Sequence, residues 1–191
     1  MIILIAGLVI FLGVHSISII NRDWRNRMFD HMGEKQWKAL YSVTAFVGFA
    51  MLVYGYGLAR QHPIVVYVPP YWLHYVTGIL MLPVFPLLFA SHLPGKIKST
   101  VKHPMLAAVK IWATAHLLSN GMLADILLFG GLLAWAVIDR ISVKRNPRGL
   151  ADHMAPSTRN DVIAVVGGLT TYFVFMRWLH GWLIGVVPFP M

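Results

Sequence analysis

Long apolar stretches alternate with short polar ones along the chain. Met1–Ile20 is apolar almost throughout, and further apolar segments run over Ala39–Leu58, Tyr71–Ala90, Pro104–Leu118, Leu123–Ile141 and Val162–Leu183. Runs of about 20 such residues are long enough to cross the hydrocarbon core of a bilayer as helices. The polar or Pro/Gly-containing stretches between them end each run. The pattern predicts an all-α polytopic membrane protein, a bundle of about six transmembrane helices, with the segment starting at Pro104 the shortest. No basic stretch precedes Met1–Ile20 and no small-residue cleavage site follows it, so it is read as a retained span. Spans of this size use most of the 191 residues, and residues 1–191 are read as one transmembrane domain.

Composition agrees. Apolar residues make up 58% of the chain and charged ones 12%, and the mean hydropathy is +0.66. That is more apolar surface than a water-soluble domain of this size hides, so the first partner is the lipid bilayer. The net charge of +9 comes from 16 Lys and Arg against 7 Asp and Glu. On a soluble protein this would suggest nucleic acid, but here the cations cluster in alternate short loops. Arg22, Arg25, Arg27, Lys35 and Lys38 follow the first span, Lys96, Lys98 and Lys102 the third, and Arg140, Lys144, Arg145, Arg148 and Arg159 surround the loop after the fifth. The opposite side has only Arg60 in a loop. Under the positive-inside rule this alternation predicts an inner-membrane protein with both termini periplasmic, its cations marking topology and meeting anionic lipid rather than nucleic acid.

Tyr71, Trp72, Trp178 and Trp182 near outer span ends, and Trp24 and Trp37 beside the first basic loop, are placed as interfacial anchors. The ten Met residues form no repeated ligand motif and read as packing. The chain has no Cys, which removes disulfides, iron–sulfur ligation and thiolate chemistry. Any metal would have His as its ligand.

Ionisable side chains within spans are costly and point to function. They are His15, Lys110, His116, Asp125, Asp139, Arg177 and His180. Arg177 and His180, with His74 and His92 at the ends of the third span, are close enough to an interface to reach water. Ser119, Asn120 and Gly121 form a very short connection, so the fourth and fifth spans are read as an antiparallel hairpin. Mirroring depth about Asn120 then puts Asp125 near the level of His116 and Asp139 near that of His103. A carboxylate accepting the Nδ1 proton of an imidazole makes Nε2 a better ligand, so Asp125 is placed to orient His116. Lys110 faces Gly130 and Gly131, either as a packing residue reaching along the helix or as a partner for an anion such as a haem propionate.

A bis-histidine haem needs two imidazoles from different helices at similar depth. His15 and His116 are the most deeply placed pair. With a rise of about 1.5 Å per residue, His15 lies about 9 Å from the inner end of its span and His116 about 20 Å from Lys102. The unequal depths leave His103 open as the alternative partner of His15, and a hydrogen-bonded core histidine is the plainer role for any single one of them.

From His103 to Arg145 the chain reads HPMLAAVKIWATAHLLSNGMLADILLFGGLLAWAVIDRISVKR, and with GVHSISIINR in the first span it closely resembles the NnrU family of bacterial membrane proteins. The spacing of HP, KIWA, AHLL, NG, LFG and DR carries the resemblance, which extends over nearly the whole chain. It implies an association with denitrification, in the metabolism of nitrite and nitric oxide. The same pattern is similar to the plant zeta-carotene isomerase, a membrane enzyme that uses haem b. That similarity implies haem b here, with His15 and His116 as axial ligands, and redox or isomerase-like chemistry at a bis-His iron. The isomerase has a cysteine three residues before its second histidine, where this chain has Ala113, so thiolate-dependent ligand exchange is closed to it.

Two other readings stand beside this one. Lys102-His103-Pro104 resembles the basic-His-Pro segment of isoprenylcysteine-type membrane methyltransferases, which implies S-adenosylmethionine at His103, although no acidic segment matches the rest of their cofactor site. The family association also fits a non-enzymatic assembly or regulatory partner of nitrite and nitric oxide reductases.

Overall fold

A computed structural model describes residues 1–145 and 155–188. Among these the chain is helical, with no strand beyond an isolated antiparallel bridge between Val65 and Met122. The helices are α1 (Ile2–Ile20), α2 (Arg22–Met32), α3 (Glu34–Gln61), α4 (Leu73–Met81), α5 (Val84–His92), α6 (Lys96–Val101), α7 (Pro104–Ser119), α8 (Leu123–Arg145), α9 (Thr158–Val174) and α10 (His180–Ile184), with a π-helical turn, Phe175–Leu179, joining the last two.

Among the described residues, five stretches are long and apolar enough to cross a membrane: α1, α3, Leu73–His92, α8 and Thr158–Ile184. The protein is therefore a multi-pass membrane protein. Its outward faces carry the apolar side chains that water would exclude, such as Val9, Phe46, Ile79 and Phe173, each at least 60% exposed. The Leu73–His92 stretch breaks at Leu82–Pro83, where proline has no N–H to continue the ladder. The first basic loop is itself a helix, α2. Asn21 caps it through the Trp24 N–H at 2.9 Å, and none of its residues is buried. Arg148, one of the basic residues counted after the fifth span, lies outside the described residues.

The chain forms two compact units, Met1–Val68 with Gly121–Ser142, and Pro69–Asn120 with Val143–Met191. In the first, α1 and α3 meet along a seam of small residues. Gly48, Leu52, Gly55 and Ala59 recur at helical spacing and are all buried. A Cβ on Gly7 would sit 2.6 Å from the Leu52 nitrogen, one on Gly48 would sit 2.7 Å from the Phe11 nitrogen, and one on Gly55 would run into the Leu4 backbone. Lipid offers apolar side chains no drive to cluster, so close backbone approach and van der Waals contact must hold such a pair. Leu4, Leu8, Leu52, Ala59 and Ala124 form the core, with Leu127 and Leu128 of α8 packed against it.

The segment after α3 pairs with the start of α8. Val66 and Tyr67 donate their N–H groups to the Gly121 carbonyl at 2.9 and 3.2 Å, and Leu123 donates to the Ile64 carbonyl at 2.8 Å. Gly121 is needed there, because a Cβ would strike the Tyr67 carbonyl. This pairing bears on α7, which has 16 residues and is shorter than a usual span. It puts the end of α3 and the start of α8 on one side of the membrane. If Leu73–His92 crosses the membrane between them, α7 crosses back.

In the second unit, Tyr172 of α9 donates to the Gly78 carbonyl of α4 at 2.9 Å, and Thr77 donates to the Ala115 carbonyl of α7 at 2.8 Å. Met81, Val84, Ala108, Ala115 and Tyr172 form the core around these bonds. Asp161, in the first turn of α9, accepts the N–H groups of Lys96 and Ile97 at 2.9 and 3.0 Å and so caps α6.

Candidate functional site: histidines within the spans

His15 is held in the first unit by one hydrogen bond and three aromatic rings. Its Nδ1 lies 2.7 Å from the Phe11 carbonyl one helical turn back. A carbonyl oxygen only accepts, so Nδ1 is the donor, and in the neutral ring the lone pair is then on Nε2. The Phe11 ring is 4.3 Å away and tilted, and Tyr41 of α3 and Trp135 of α8 meet the imidazole edge to face at 5.5 and 5.8 Å. The indole Nε1 of Trp135 is buried and, among the described residues, has no hydrogen-bond partner.

His116 in the second unit repeats the arrangement. Its Nδ1 lies 2.9 Å from the Trp112 carbonyl, one turn back, and the Trp112 ring is 5.2 Å from the imidazole. Its Nδ1 too is the donor, so that the neutral ring has its lone pair on Nε2. Ala113, three residues before His116, is fully buried.

Asp125 does something other than orient His116. Its carboxylate accepts the Tyr56 hydroxyl at 2.6 Å and the Met122 N–H at 3.1 Å, tying α3 to the first turn of α8. The Arg60 guanidinium sits over the Tyr56 ring at 5.8 Å. Partial burial, and then the Asp125 carboxylate, hold the Tyr67 phenol above its ordinary pKa. The acceptor that orients His116 is thus the Trp112 carbonyl, where the hairpin mirror predicted a carboxylate.

The remaining candidates are placed as follows. Asp139 is buried, with 4% of its surface exposed. Lys110 is half-buried within α7, and His103 is half-buried at the N-cap of that helix. His74 donates from Nδ1 to the Tyr71 carbonyl at 3.0 Å at the start of α4. His180 bonds the Val186 carbonyl at 2.7 Å, and Arg177 is exposed beside Trp178. His92 lines an apolar groove of about 580 Å³ with Leu88, Phe89, Leu93, Met105 and Ile163.

Among the described residues no group of three or more His, Asp or Glu is placed to hold a metal ion. A porphyrin, which brings four nitrogen donors of its own, needs only one or two imidazoles. Histidines that turn Nδ1 to a backbone carbonyl and so present Nε2 as the ligating atom, and a buried indole N–H without an acceptor beside one of them, fit that group. Sequence reasoning missed Tyr41, Tyr56 and Trp135. The aromatic residue four positions before each histidine, Phe11 and Trp112, was the available signal, because an imidazole in a helix can reach the carbonyl one turn back.

The fold and these residues define a multi-pass, all-helical membrane protein with histidines inside its spans. The family comparison is more specific: the NnrU protein model matches residues 3–188, and the chain belongs to the NnrU family. No curated protein and no solved structure gives a match.

Proposed function

We propose that this chain is a haem b protein of the bacterial inner membrane acting in nitrite and nitric oxide metabolism, with His15 and His116 as iron ligands. The shared orientation of the two imidazoles carries the reading. His15 sits in a span and His116 in the short apolar helix α7, and each turns Nδ1 to the carbonyl one turn back, the orientation in which Nε2 of the neutral ring is the atom that would donate to a haem iron. When bound, haem would supply one-electron redox chemistry, with a position for nitric oxide or a polyene if one imidazole leaves.

The chain's own residues would hold and tune that group. The Phe11 and Trp112 carbonyls fix ring orientation and raise the basicity of Nε2. Phe11, Tyr41 and Trp135 keep water from His15 and lower the local dielectric. The basic loops orient the molecule with both termini periplasmic and α2 and α6 at the cytoplasmic face.

Absorption spectra of the purified protein, oxidised and reduced, test the reading. Low-spin bis-histidine bands are expected. No Soret band after expression with ample haem, and none on reconstitution, would remove it. Binding of S-adenosylmethionine would then favour the methyltransferase reading at His103, and copurification of a nitrite or nitric oxide reductase an assembly role.

A further inference from the structure

The indole N–H of Trp135 has an unusual position. Indole is a donor with no acceptor capacity, and a buried donor left unpaired is unfavourable, the more so in a bilayer where no water can replace the missing partner. Trp135 Nε1 is in that state among the described residues. Its ring stands at 86° to the His15 imidazole with centroids 5.8 Å apart. His15 does not relieve it: its Nδ1 is a donor to the Phe11 carbonyl at 2.7 Å, and among the described residues no hydrogen bond joins the indole N–H to its Nε2. The other rings around His15, Phe11 and Tyr41, complete an enclosure drawn from α1, α3 and α8. An acceptor brought in by a bound group would satisfy the indole.

The kind of acceptor follows from the group. The four pyrrole nitrogens of a haem are taken up by iron, so the oxygens of its two propionates are the acceptors it can offer a side chain. A carboxylate is also the stronger partner, because charge-assisted hydrogen bonds gain most where the dielectric is low. Resting on the haem reading of His15, we propose that Trp135 donates its indole N–H to a haem propionate and is a cofactor-binding residue of this protein. The bond would anchor the haem edge and offset part of its negative charge, holding the iron potential up.

The full-length protein in detergent, loaded with haem b or with its dimethyl ester, provides the test. Wild-type protein is expected to lose haem b to an excess of apomyoglobin at least about tenfold more slowly than Trp135→Phe does, as one charged hydrogen bond would give. With the ester, which lacks the carboxylate charge, the two proteins should release the group at similar rates. The potential of Trp135→Phe with haem b should be lower than that of wild type. The wild-type comparison of haem b against ester needs no substitution and stands even if Trp135→Phe fails to fold: equal retention of the two would overturn the assignment. So would equal haem b loss from wild type and variant, or a loss that the variant shows equally with the ester. Absence of any Soret band in wild-type protein is a different failure, that of the haem reading itself.

Discussion

His15 donates its Nδ1 proton to the carbonyl of Phe11 at 2.7 Å, and His116 does the same toward Trp112 at 2.9 Å. Two histidines in different units thus share one tautomer for one reason, the backbone carbonyl one turn back. His15→Ala and His116→Ala should each abolish the low-spin bis-histidine spectrum. His74→Ala should leave it unchanged, because His74 sits at the start of α4, beside exposed Tyr71 and Trp72. A spectrum that survives loss of His116 but not of His103 would reassign the second ligand.

Asp125 is expected to matter for stability and not for the spectrum. Its carboxylate serves Tyr56 and the Met122 N–H, and Trp112 already accounts for the Nδ1 proton of His116. Tyr56→Phe should destabilise the protein by about 1–2 kcal/mol. Asp125→Ala should cost more, because it strands both donors. Unfolding in mixed micelles measures the first effect, and absorption of the haem-loaded variants the second. A changed iron spectrum in Asp125→Asn would restore the carboxylate to the ligand's surroundings.

The α1–α3 seam predicts a contrast between two neighbouring glycines. A Cβ at Gly55 meets the Leu4 backbone, which cannot move aside without separating the helices, whereas one at Gly57 points into open space. Gly55→Ala should lower stability by about 1–3 kcal/mol through overpacking. Gly57→Ala should be neutral or slightly stabilising, since alanine is the better helix former. Thermal unfolding in detergent distinguishes them.

Because the chain has no Cys, single cysteines report topology without background. Asn26→Cys in α2 and Ser99→Cys in α6 should react with an impermeant thiol reagent from the cytoplasmic side. His62→Cys and Asn120→Cys should react from the opposite side, since the segments after α3 and before α8 are hydrogen-bonded together. Labelling of His62→Cys and Asn120→Cys from opposite faces would mean that α7 does not cross.

The apolar runs were legible as spans because a bilayer demands a minimum length and internal satisfaction of every backbone group, and both show in local sequence. The fourth segment was read as short, and α7 is. What length alone left open, whether it crosses, turns on the three hydrogen bonds between Ile64–Tyr67 and Gly121–Leu123. The helix α2, Arg22 to Met32, went unread because it is short and strongly charged, although Trp24, Met28 and Met32 recur in it at helical spacing. The capping residue Asn21 was its remaining signal.

The sequence by itself determined that this is a polytopic helical membrane protein of the NnrU family, with His15 inside its first apolar run and His116 inside the short fourth one, since hydrophobic length, loop charge and motif spacing are properties of neighbouring residues. Tertiary structure decided the company they keep. Asp125 went to Tyr56, 69 residues away along the chain, and Trp135 came to rest against His15 with its N–H unpaired. Such pairings depend on which faces of which helices meet. The depth of a residue along its own helix says at what level it lies, but not toward which neighbour it turns.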